Sequence, residues 1–320
     1  MIKRSSINEL LEKHQVRKTK EQKQYFYLWL QDHSKKHGYS MTEQSYKQGK
    51  GKNLLVGDVK KAEVILTAHY DTAASSILPV TTIVGSVPMY LLSQLGIILP
   101  IVVIGLGLYF LLTTLLGEIG LWGVSVPMLL GTSLELPLIT LIFMILWGWQ
   151  MMFGFANQKN ANDNTSGVAV LISLLEDMPL ELRDKVCFVF FDEEEKGLVG
   201  SKVFHGKYSS IVHSKPLINF DCVGHGKHLL FITKKQFRAS RFNDLLSQAL
   251  EGKALMKPAN RYIYPSDQIL FKCGVGVAAV HRTPVIGYCL KGLHSRWDTK
   301  FNEQNIETLK EATMAFIKKV

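Results

Sequence analysis

Charge is distributed very unevenly along this 320-residue chain. Across residues 72–158, a stretch of 87 residues, the only acidic or basic side chains are Glu118 and Glu135. The segments on either side are as polar as an ordinary soluble domain. An apolar stretch of this length needs cover from water, so the chain combines a polar globular part with a block that is buried in lipid or in protein.

Two runs inside the block are long enough to cross a membrane as helices. Residues 96–116 and 136–155 are uncharged, and about 20 residues suffice to span a ~30 Å hydrocarbon core. The second run contains Trp147 and Trp149 near its end, where they suit a membrane interface. Residues 77–93 are interrupted by Pro79 and Pro88, and we expect them to be interfacial or re-entrant.

The number and direction of the crossings follow from what flanks the block. Both flanks are predicted to belong to one folded domain. An odd number of crossings would place the two parts of that domain on opposite sides of the membrane, so the number must be even. Two spans fit the available length better than four. Four short spans, or a buried hairpin of a soluble protein, are the alternatives. The loop at 117–135 has no Lys or Arg, whereas both flanks are rich in them. The positive-inside rule therefore predicts a multi-pass protein of the cell membrane with its globular domain on the cytoplasmic side.

Net charge and cysteine content limit the partners. The net charge of +10 suits either nucleic acid or an anionic membrane surface. Because the apolar block requires lipid and no nucleic-acid motif is present, we predict a lipid bilayer and no nucleic acid as partners. The four cysteines have no C-x-x-C spacing, which disfavours a disulfide framework or a thiolate zinc site. The sequence leaves the oligomeric state open.

Outside the block, short apolar runs alternate with stretches of helical periodicity. This alternation predicts an α/β fold with a mostly parallel mixed sheet sandwiched by helices, interrupted by an all-α transmembrane hairpin insertion. Residues 1–72 and 157–320 form the two parts of the globular domain, and residues 73–156 form the insertion. Strands are predicted at 39–48, 53–56, 62–68, 185–191, 217–220 and 275–280, and helices at 21–36, 164–178, 197–205, 241–250 and 304–318.

Ionisable residues follow the predicted strands, at the edge where open α/β sheets bind ligands. Taken singly, each of these ionisable residues would be read as a surface polar group or a helix cap. Together, two imidazoles and at least three carboxylates are the ligand set of a hard-to-borderline divalent metal, often zinc. The residues are His69 with Asp71, Asp163, the acidic run 192–195, Asp221, and His294 with Asp298.

Six motifs in this order resemble those of the di-zinc aminopeptidases of metallopeptidase family twenty-eight. They are A-H-Y-D-T, N-D-N-T-S-G-V-A, F-D-E-E-E-K-G-L-V-G-S, N-F-D-C-V-G, S-D-Q and L-H-S-R-W-D-T. The resemblance covers about residues 20–72 and 157–320. Since the family spaces its first two motifs closely, whereas His69 and Asp163 are 94 positions apart, the block is an insertion beside the active site.

The resemblance implies a zinc exopeptidase-like fold, two Zn²⁺ ions or other divalent metals, and a peptide substrate with a free N-terminus. It also implies a cis peptide bond after the bridging aspartate. The implied metal ligands are Asp163 as the bridge, His69 and Asp221 in one site, and Glu195 and His294 in the other.

The resemblance also implies that Glu194 is the general base. Asp71 lies two residues after His69, and this spacing predicts that it acts in catalysis by orienting that imidazole. Tyr262 and Tyr264 are both candidates for a substrate-binding tyrosine. Where the family commonly has S-D-H, this chain has Gln268.

We therefore expect a membrane-anchored metallo-aminopeptidase, in which the insertion walls one side of the pocket and favours hydrophobic peptides. The alternatives on this scaffold are a mono-zinc glutaminyl cyclase-like transferase, a non-catalytic membrane binding protein, and an amidohydrolase that acts on a non-peptide amide. The number of bound zinc ions separates the cyclase from the peptidase.

Overall fold

The computed structural model describes residues 5–76, 78–119 and 135–320, with the backbone alone for residues 109, 112–119 and 135–140. Its α-helices are α1 (Ser5–Lys13), α2 (Lys20–Lys36), α3 (Val87–Ile119), α4 (Glu135–Phe153), α5 (Thr165–Asp177), α6 (Val199–Val212), α7 (Lys235–Arg238), α8 (Phe242–Leu250) and α9 (Glu303–Lys319). Its strands are β1 (Met41–Tyr46), β2 (Gly51–Val56), β3 (Val64–His69), β4 (Val80–Val84), β5 (Val186–Phe191), β6 (Leu217–Phe220), β7 (His228–Thr233), β8 (Leu255–Pro258), β9 (Gly274–Thr283) and β10 (Gly287–Leu293). Short 3-10 helices occupy Leu180–Lys185, Glu194–Lys196 and Asp267–Leu270.

The described strands form one ten-stranded sheet. Its main path is β1-β2-β5-β3-β6-β9-β10-β4, and β7 with β8 branches from β9. The central strands β5, β3, β6 and β9 are parallel, whereas the pairings of β1 with β2, β2 with β5, β7 with β9, and β10 with both β9 and β4 are antiparallel. The sheet is thus mixed, and the predicted parallel arrangement holds for its centre. Outer neighbours such as β1–β2 and β9–β10 are joined by tight turns, which permit only antiparallel pairing.

Helices cover both faces of the centre of the sheet. Because side chains alternate along a strand, Leu66 packs into a core shared with α2, α5 and α9, while Ile65 packs on the opposite face with Phe204 of α6. Every residue of β3 and β5 is buried. Burial on both faces explains why these strands read as continuous apolar runs.

Residues 80–84 are a strand of the main sheet and not a re-entrant segment, and residues 87–93 are the first two turns of α3; residue 77 lies outside the described residues. The strand, β4, pairs antiparallel with β10, with Val84 opposite Tyr288. Its valine and threonine side chains favour a half-buried strand at the edge of a sheet. The predicted insertion at 73–156 is therefore not all-α, because its first part joins the sheet of the globular domain.

The helices α3 and α4 form an apolar pair. α3 has 33 residues and α4 has 19. Among the described residues, Val87–Leu108 in α3 is long and apolar enough to cross a membrane, whereas the apolar stretch Leu141–Phe153 in α4 is shorter. A Cβ at Gly105 would lie 3.4 Å from the ring of Phe143, which is ordinary van der Waals contact, so the two helices pack against each other here. Most of the loop predicted at 117–135 lies outside the described residues.

Both ends of the insertion leave the globular domain at one place. Ala74 and Ala156 form an antiparallel bridge. Next to this bridge, the backbone N–H of Ser76 donates to the carbonyl of His294 at 2.6 Å. The paired ends therefore lie beside the loop that carries a predicted metal ligand.

Candidate active site

The predicted ligands meet at the carboxyl edge of the parallel strands. His69 is the last residue of β3, and Asp221 directly follows β6. Glu194 and Glu195 begin the 3-10 helix that follows β5, and Asp163 precedes α5. Strands that run in parallel present their carboxyl ends at a common edge, so separated sequence motifs become neighbours.

Asp163 lies at the centre of this cluster, and its two carboxylate oxygens face different partners. Oδ1 is 3.3 Å from Nε2 of His69, and Oδ2 is 3.0 Å from Nε2 of His294. His69 Nε2 is also 3.6 Å from Asp221 Oδ1, and His294 Nε2 is 3.3 Å from Glu195 Oε2. The five side chains thus divide into two groups on either side of a shared carboxylate.

Hydrogen bonds fix the turn that presents Asp163. The carboxylate of Asp298 accepts from the backbone N–H of Asn162 at 2.8 Å and from that of Asp163 at 3.0 Å. The peptide bond between Asp163 and Asn164 is cis, as the resemblance implied. The amide of Asn164 donates to the carbonyl of Phe220 at 3.0 Å, which ties this turn to the end of β6.

Asp71 connects His69 to the loop that carries Glu194. Its Oδ1 is 3.5 Å from His69 Nδ1 and accepts a 3.0 Å hydrogen bond from the backbone N–H of Glu194. Its Oδ2 accepts from the backbone N–H of Glu195 at 3.3 Å. Asp71 therefore positions an imidazole and the acidic loop together, whereas the sequence predicted only the first of these roles.

The first two residues of the acidic run, to which the sequence assigned no role, anchor this loop. Lys23 of α2 pairs with Asp192. Lys47 and Lys196 pair with Glu193 at 2.8 and 2.9 Å. These ion pairs fix the backbone from which Glu194 and Glu195 project.

Burial and neighbouring charges strongly shift the proton affinities in the cluster. Burial disfavours a charged imidazole at His294, but the carboxylates around it, Glu195 foremost, outweigh burial and raise its pKa to about 9. Burial raises the pKa of Glu195 to about 8, an effect that His294 opposes and Asp163 reinforces. Burial is also the main reason why the pKa of Glu194 lies well above its ordinary value. A buried carboxylate cluster of this kind is neutralised by protons or by cations.

The donor atoms fit a divalent cation. Among the described residues, Glu195 Oε1 and Asp221 Oδ1 are buried and accept no hydrogen bond, which is costly unless another partner is bound. Ligand atoms of His69, Asp163 and Glu195 lie within 4.8 Å of one another, as do those of Asp163, Asp221 and Cys222. Imidazole and carboxylate donors are the ligands of zinc and related ions.

A cavity of about 340 Å³ opens onto the cluster, and the insertion supplies much of its wall. The lining residues of the insertion come from β4, α3 and α4. The cavity is lined by Asp163, Glu194, Glu195, Asp221 and His294 from the cluster, and by Val80, Thr82, Tyr90, Gln94, Ile97 and Met151 from the insertion.

The two candidate substrate tyrosines occupy different places. Tyr264 lines the cavity, and its hydroxyl donates to the carbonyl of Asp221 at 2.9 Å. Tyr262 does not line this cavity, and its ring packs against Tyr288 with centroids 6.3 Å apart. Of the two candidates, Tyr264 is therefore the one that borders the cavity.

Sequence reasoning passed over two buried groups beside the cluster. Cys222 lines the cavity, and burial holds the pKa of its thiol well above the ordinary value. Asp267 is fully buried, and burial raises its pKa to about 7. In the sequence, Cys222 could have been noticed because it directly follows Asp221, and Asp267 because it lies within the S-D-Q motif. Gln268 donates to the Tyr264 carbonyl at 2.8 Å and so supports the cavity wall.

Comparison with known proteins agrees with this arrangement. The family model described as Peptidase family M28 matches residues 151–317, which is just over half of the chain. The matched part contains Asp163, Glu194, Glu195, Asp221 and His294, whereas His69 precedes it. No curated protein matches the chain.

Solved structures of zinc exopeptidases and related enzymes share the fold. A Zn-dependent exopeptidase from Parabacteroides distasonis has a TM-score of 0.56 at 13% identity, covering 97% of this chain and 94% of its own. A leucine aminopeptidase precursor from Bacteroides thetaiotaomicron has a TM-score of 0.54 at 12% identity, with coverage of 97% and 93%. A glutaminyl cyclase from the same organism, bound to N-acetylhistamine, has a TM-score of 0.56 at 11% identity, with coverage of 97% and 94%.

Proposed function

Because the chain belongs to peptidase family M28, we propose that it is a membrane-anchored, zinc-dependent aminopeptidase. It would remove N-terminal residues from peptides that have a free α-amine. Family membership and the exopeptidase and aminopeptidase neighbours support a metal-dependent peptidase. The finer assignments below rest on the geometry of the cluster and of the cavity.

The observation that carries the proposal is the position of the Asp163 carboxylate between two ligand groups. One oxygen faces His69, which also adjoins Asp221, and the other faces His294, which also adjoins Glu195. A carboxylate in this position supports a bridge between two zinc ions. The unpartnered, buried oxygens of Glu195 and Asp221 support ligand roles for both residues.

The reaction would be hydrolysis of the first peptide bond. Bound zinc supplies Lewis-acid chemistry, which polarises a carbonyl and activates a water near neutral pH. Glu194 lines the cavity without belonging to the five ligands, so its carboxylate would take the proton of the attacking water and pass it to the leaving amine. Asp71 would hold the backbone of Glu194 during both transfers. Tyr264 would contact the substrate from the cavity wall.

The cavity wall supports an apolar substrate side chain. Tyr90, Gln94 and Ile97 lie on one face of α3, because they are spaced four and three residues apart. Met151 adds a flexible apolar side chain from α4. We infer that the enzyme prefers peptides with apolar N-terminal residues, including peptides released at the bilayer.

The exposed surface of the hairpin supports membrane insertion. Leu99, Val103 and Ile145 are 63%, 58% and 60% exposed, whereas soluble proteins rarely expose contiguous apolar surfaces of this kind. At the domain end of α4, the ammonium of Lys18 donates to the Met152 carbonyl at 3.3 Å. A cation at this end supports two crossings with the globular domain in the cytoplasm.

Metal counting and a substrate panel test the proposal on the full chain in detergent. We expect the wild-type chain to release the first residue from short peptides and to leave N-acetylated versions of them intact. We also expect Asp163→Ala to bind two fewer zinc ions per chain than the wild type.

The possible outcomes separate the alternatives. A difference of one zinc ion, together with cyclisation of N-terminal glutamine and no amino-acid release, would favour the glutaminyl cyclase-like reaction. A difference of two zinc ions without turnover on any peptide would favour a binding protein or an amidohydrolase. Equal metal content in both chains would refute the ligand set.

A further inference from the structure

A second group of metal-type ligands lies at the far end of α5. His33 lies in the last turn of α2, His37 directly follows that helix as its C-cap, and Glu176 is near the end of α5. One ligand atom from each residue lies within 4.8 Å of the others. Since α5 has 13 residues, its length of about 20 Å separates this group from Asp163 at its start.

The two histidines are arranged as helical metal ligands are. Four residues apart, they occupy one face at the end of α2, and their ring centroids are 4.6 Å apart. Nδ1 of His37 lies 2.9 Å from the carbonyl of His33. Because a carbonyl can only accept, Nδ1 of His37 carries the proton, and its Nε2 keeps a lone pair for a metal.

His33 is held in place by its neighbours. Its ring stacks on Trp29 with centroids 5.2 Å apart. Its Nε2 is buried 3.1 Å from Glu176 Oε1, yet it makes no hydrogen bond of acceptable geometry among the described residues. Tetrahedral zinc with bonds of about 2.0–2.1 Å places its ligands roughly 3.3 Å apart, which is close to this separation.

We propose that His33, His37 and Glu176 form a second metal site, which binds zinc or a similar borderline cation and joins α2 to α5. All three residues are partly exposed, so water completes the coordination. α2 also carries Lys23, whose ion pair with Asp192 anchors the loop of the general base. A cation at this site therefore stabilises the packing of a helix that supports the active site.

The test compares zinc binding by the full-length chain with that of H37Q and of a matched control, H213Q. His213 resembles His37 in that its Nδ1 lies 3.0 Å from a backbone carbonyl, that of Ser210, but it is exposed. Zinc per chain is measured after equilibrium dialysis against micromolar zinc, and the midpoint of thermal unfolding is measured with and without zinc. We expect H37Q to bind one zinc ion fewer than the wild type and to lose part of the zinc-induced rise in the midpoint, and H213Q to match the wild type.

Equal zinc content in H37Q and the wild type would overturn the proposal. If H37Q does not fold, E176Q decides in the same way, because it keeps both imidazoles and removes the anionic ligand. The active centre supplies an internal reference, since its zinc is lost in Asp163→Ala and not in H37Q. The test of the second site is therefore independent of the proposed peptidase activity.

Discussion

The edge of the central sheet and the α3–α4 hairpin are built in opposite ways. At the sheet edge, charged groups are buried: His69 is 1% exposed and Asp163 is 4% exposed. On the hairpin, apolar groups are exposed: Leu99 is 63% exposed and Ile145 is 60% exposed. Neither arrangement is favourable in water alone, which supports the proposed cations in the first region and the proposed membrane around the second.

The two regions also differ in how much positional accuracy they require. The carboxylate of Asp71 accepts hydrogen bonds from two backbone N–H groups and also faces the imidazole of His69. A small displacement of this carboxylate would therefore break several interactions at once. The outer face of α3 needs only apolar residues of any shape. The regions meet at the cavity, which Ile97 and Met151 line together with Glu194. The predictions below separate their contributions, from the largest expected effect to the smallest.

Substitution of the proposed general base should have the largest effect. Glu194→Gln removes proton transfer, which contributes typically 10²–10⁴-fold, so we expect kcat to fall by about a thousandfold with zinc content unchanged. Turnover of a leucyl peptide and metal analysis measure the two quantities. Glu193→Gln is the control, and we expect less than about a tenfold loss, because Glu193 forms ion pairs outside the cavity. Loss of zinc in Glu194→Gln would show that base and ligand are assigned the wrong way round.

Removal of the hairpin tests the other region. Replacing residues 87–153 by a short Gly-Ser linker keeps β4 in the sheet and removes the exposed apolar faces. We expect the product to move from the membrane fraction to the soluble fraction, as measured by ultracentrifugation without detergent. A second deletion of residues 73–156 also removes β4, and we expect it to be less stable. Unchanged activity of the first product on soluble apolar dipeptides would make the hairpin an anchor only.

Loss of the Asp71 carboxylate should weaken the site without destroying it. Asp71→Asn keeps the side-chain shape but removes the charge that faces His69 Nδ1. Changes in residues that orient metal ligands typically cost 10–100-fold in metal affinity, and we expect a loss in this range in competition with a chelator. Asp58→Asn, at an exposed turn, should leave the affinity unchanged. An unchanged affinity in Asp71→Asn would confine Asp71 to a structural role.

Shortening a side chain of the insertion should alter selectivity. Ile97→Ala removes apolar contact from the cavity wall, and we expect KM for leucyl peptides to rise by up to about tenfold, with a smaller change for alanyl peptides. The neighbouring Ile98 is 40% exposed and does not line the cavity, so Ile98→Ala should behave as the wild type. Equal effects of both variants would mean that the wall does not contact the substrate.

The smallest effect concerns the pH dependence of stability. Burial lowers the pKa of His14 to about 4, with Glu9 opposing and Arg17 and Lys13 reinforcing the shift. The unfolded chain takes up this proton near pH 6.5, so the neutral imidazole stabilises the fold fully above pH 6.5 and progressively less as the pH falls towards 4. After allowance for solvent, the loss at pH 5.5 is about 1 kcal/mol.

Substitution of His14 isolates this contribution. His14→Phe keeps a ring beside Trp29, where the centroids are 4.9 Å apart, and cannot take up a proton. The difference in unfolding free energy between pH 7.5 and pH 5.5, measured with urea at saturating zinc, should therefore be about 1 kcal/mol smaller in the variant. An identical difference in both chains would mean that His14 is already accessible to protons in the folded state.

Local sequence patterns predicted the centre of the fold well. Continuous apolar runs located β3, β5 and β6, and helical periodicity located α5, because burial on both faces or on one stripe leaves a clear pattern. The pattern failed at β4, which lies inside the apolar block and could not be told from a membrane segment. It also failed at β10, whose half-buried sequence alternates weakly and is held mainly by its pairing with β4 and β9.

The sequence alone determined which chemical groups are available. The covalent structure of the chain fixes its imidazoles, its carboxylates and the order of the motifs that carry them. Its long block with only two charged residues likewise favoured a large apolar surface. Only the tertiary structure decided that Asp163 faces His69 with one oxygen and His294 with the other, that Asp71 holds the acidic loop, and that α3 walls the cavity. These facts depend on contacts between residues far apart in the chain, and such contacts are set by the packing of the whole domain rather than by local pattern.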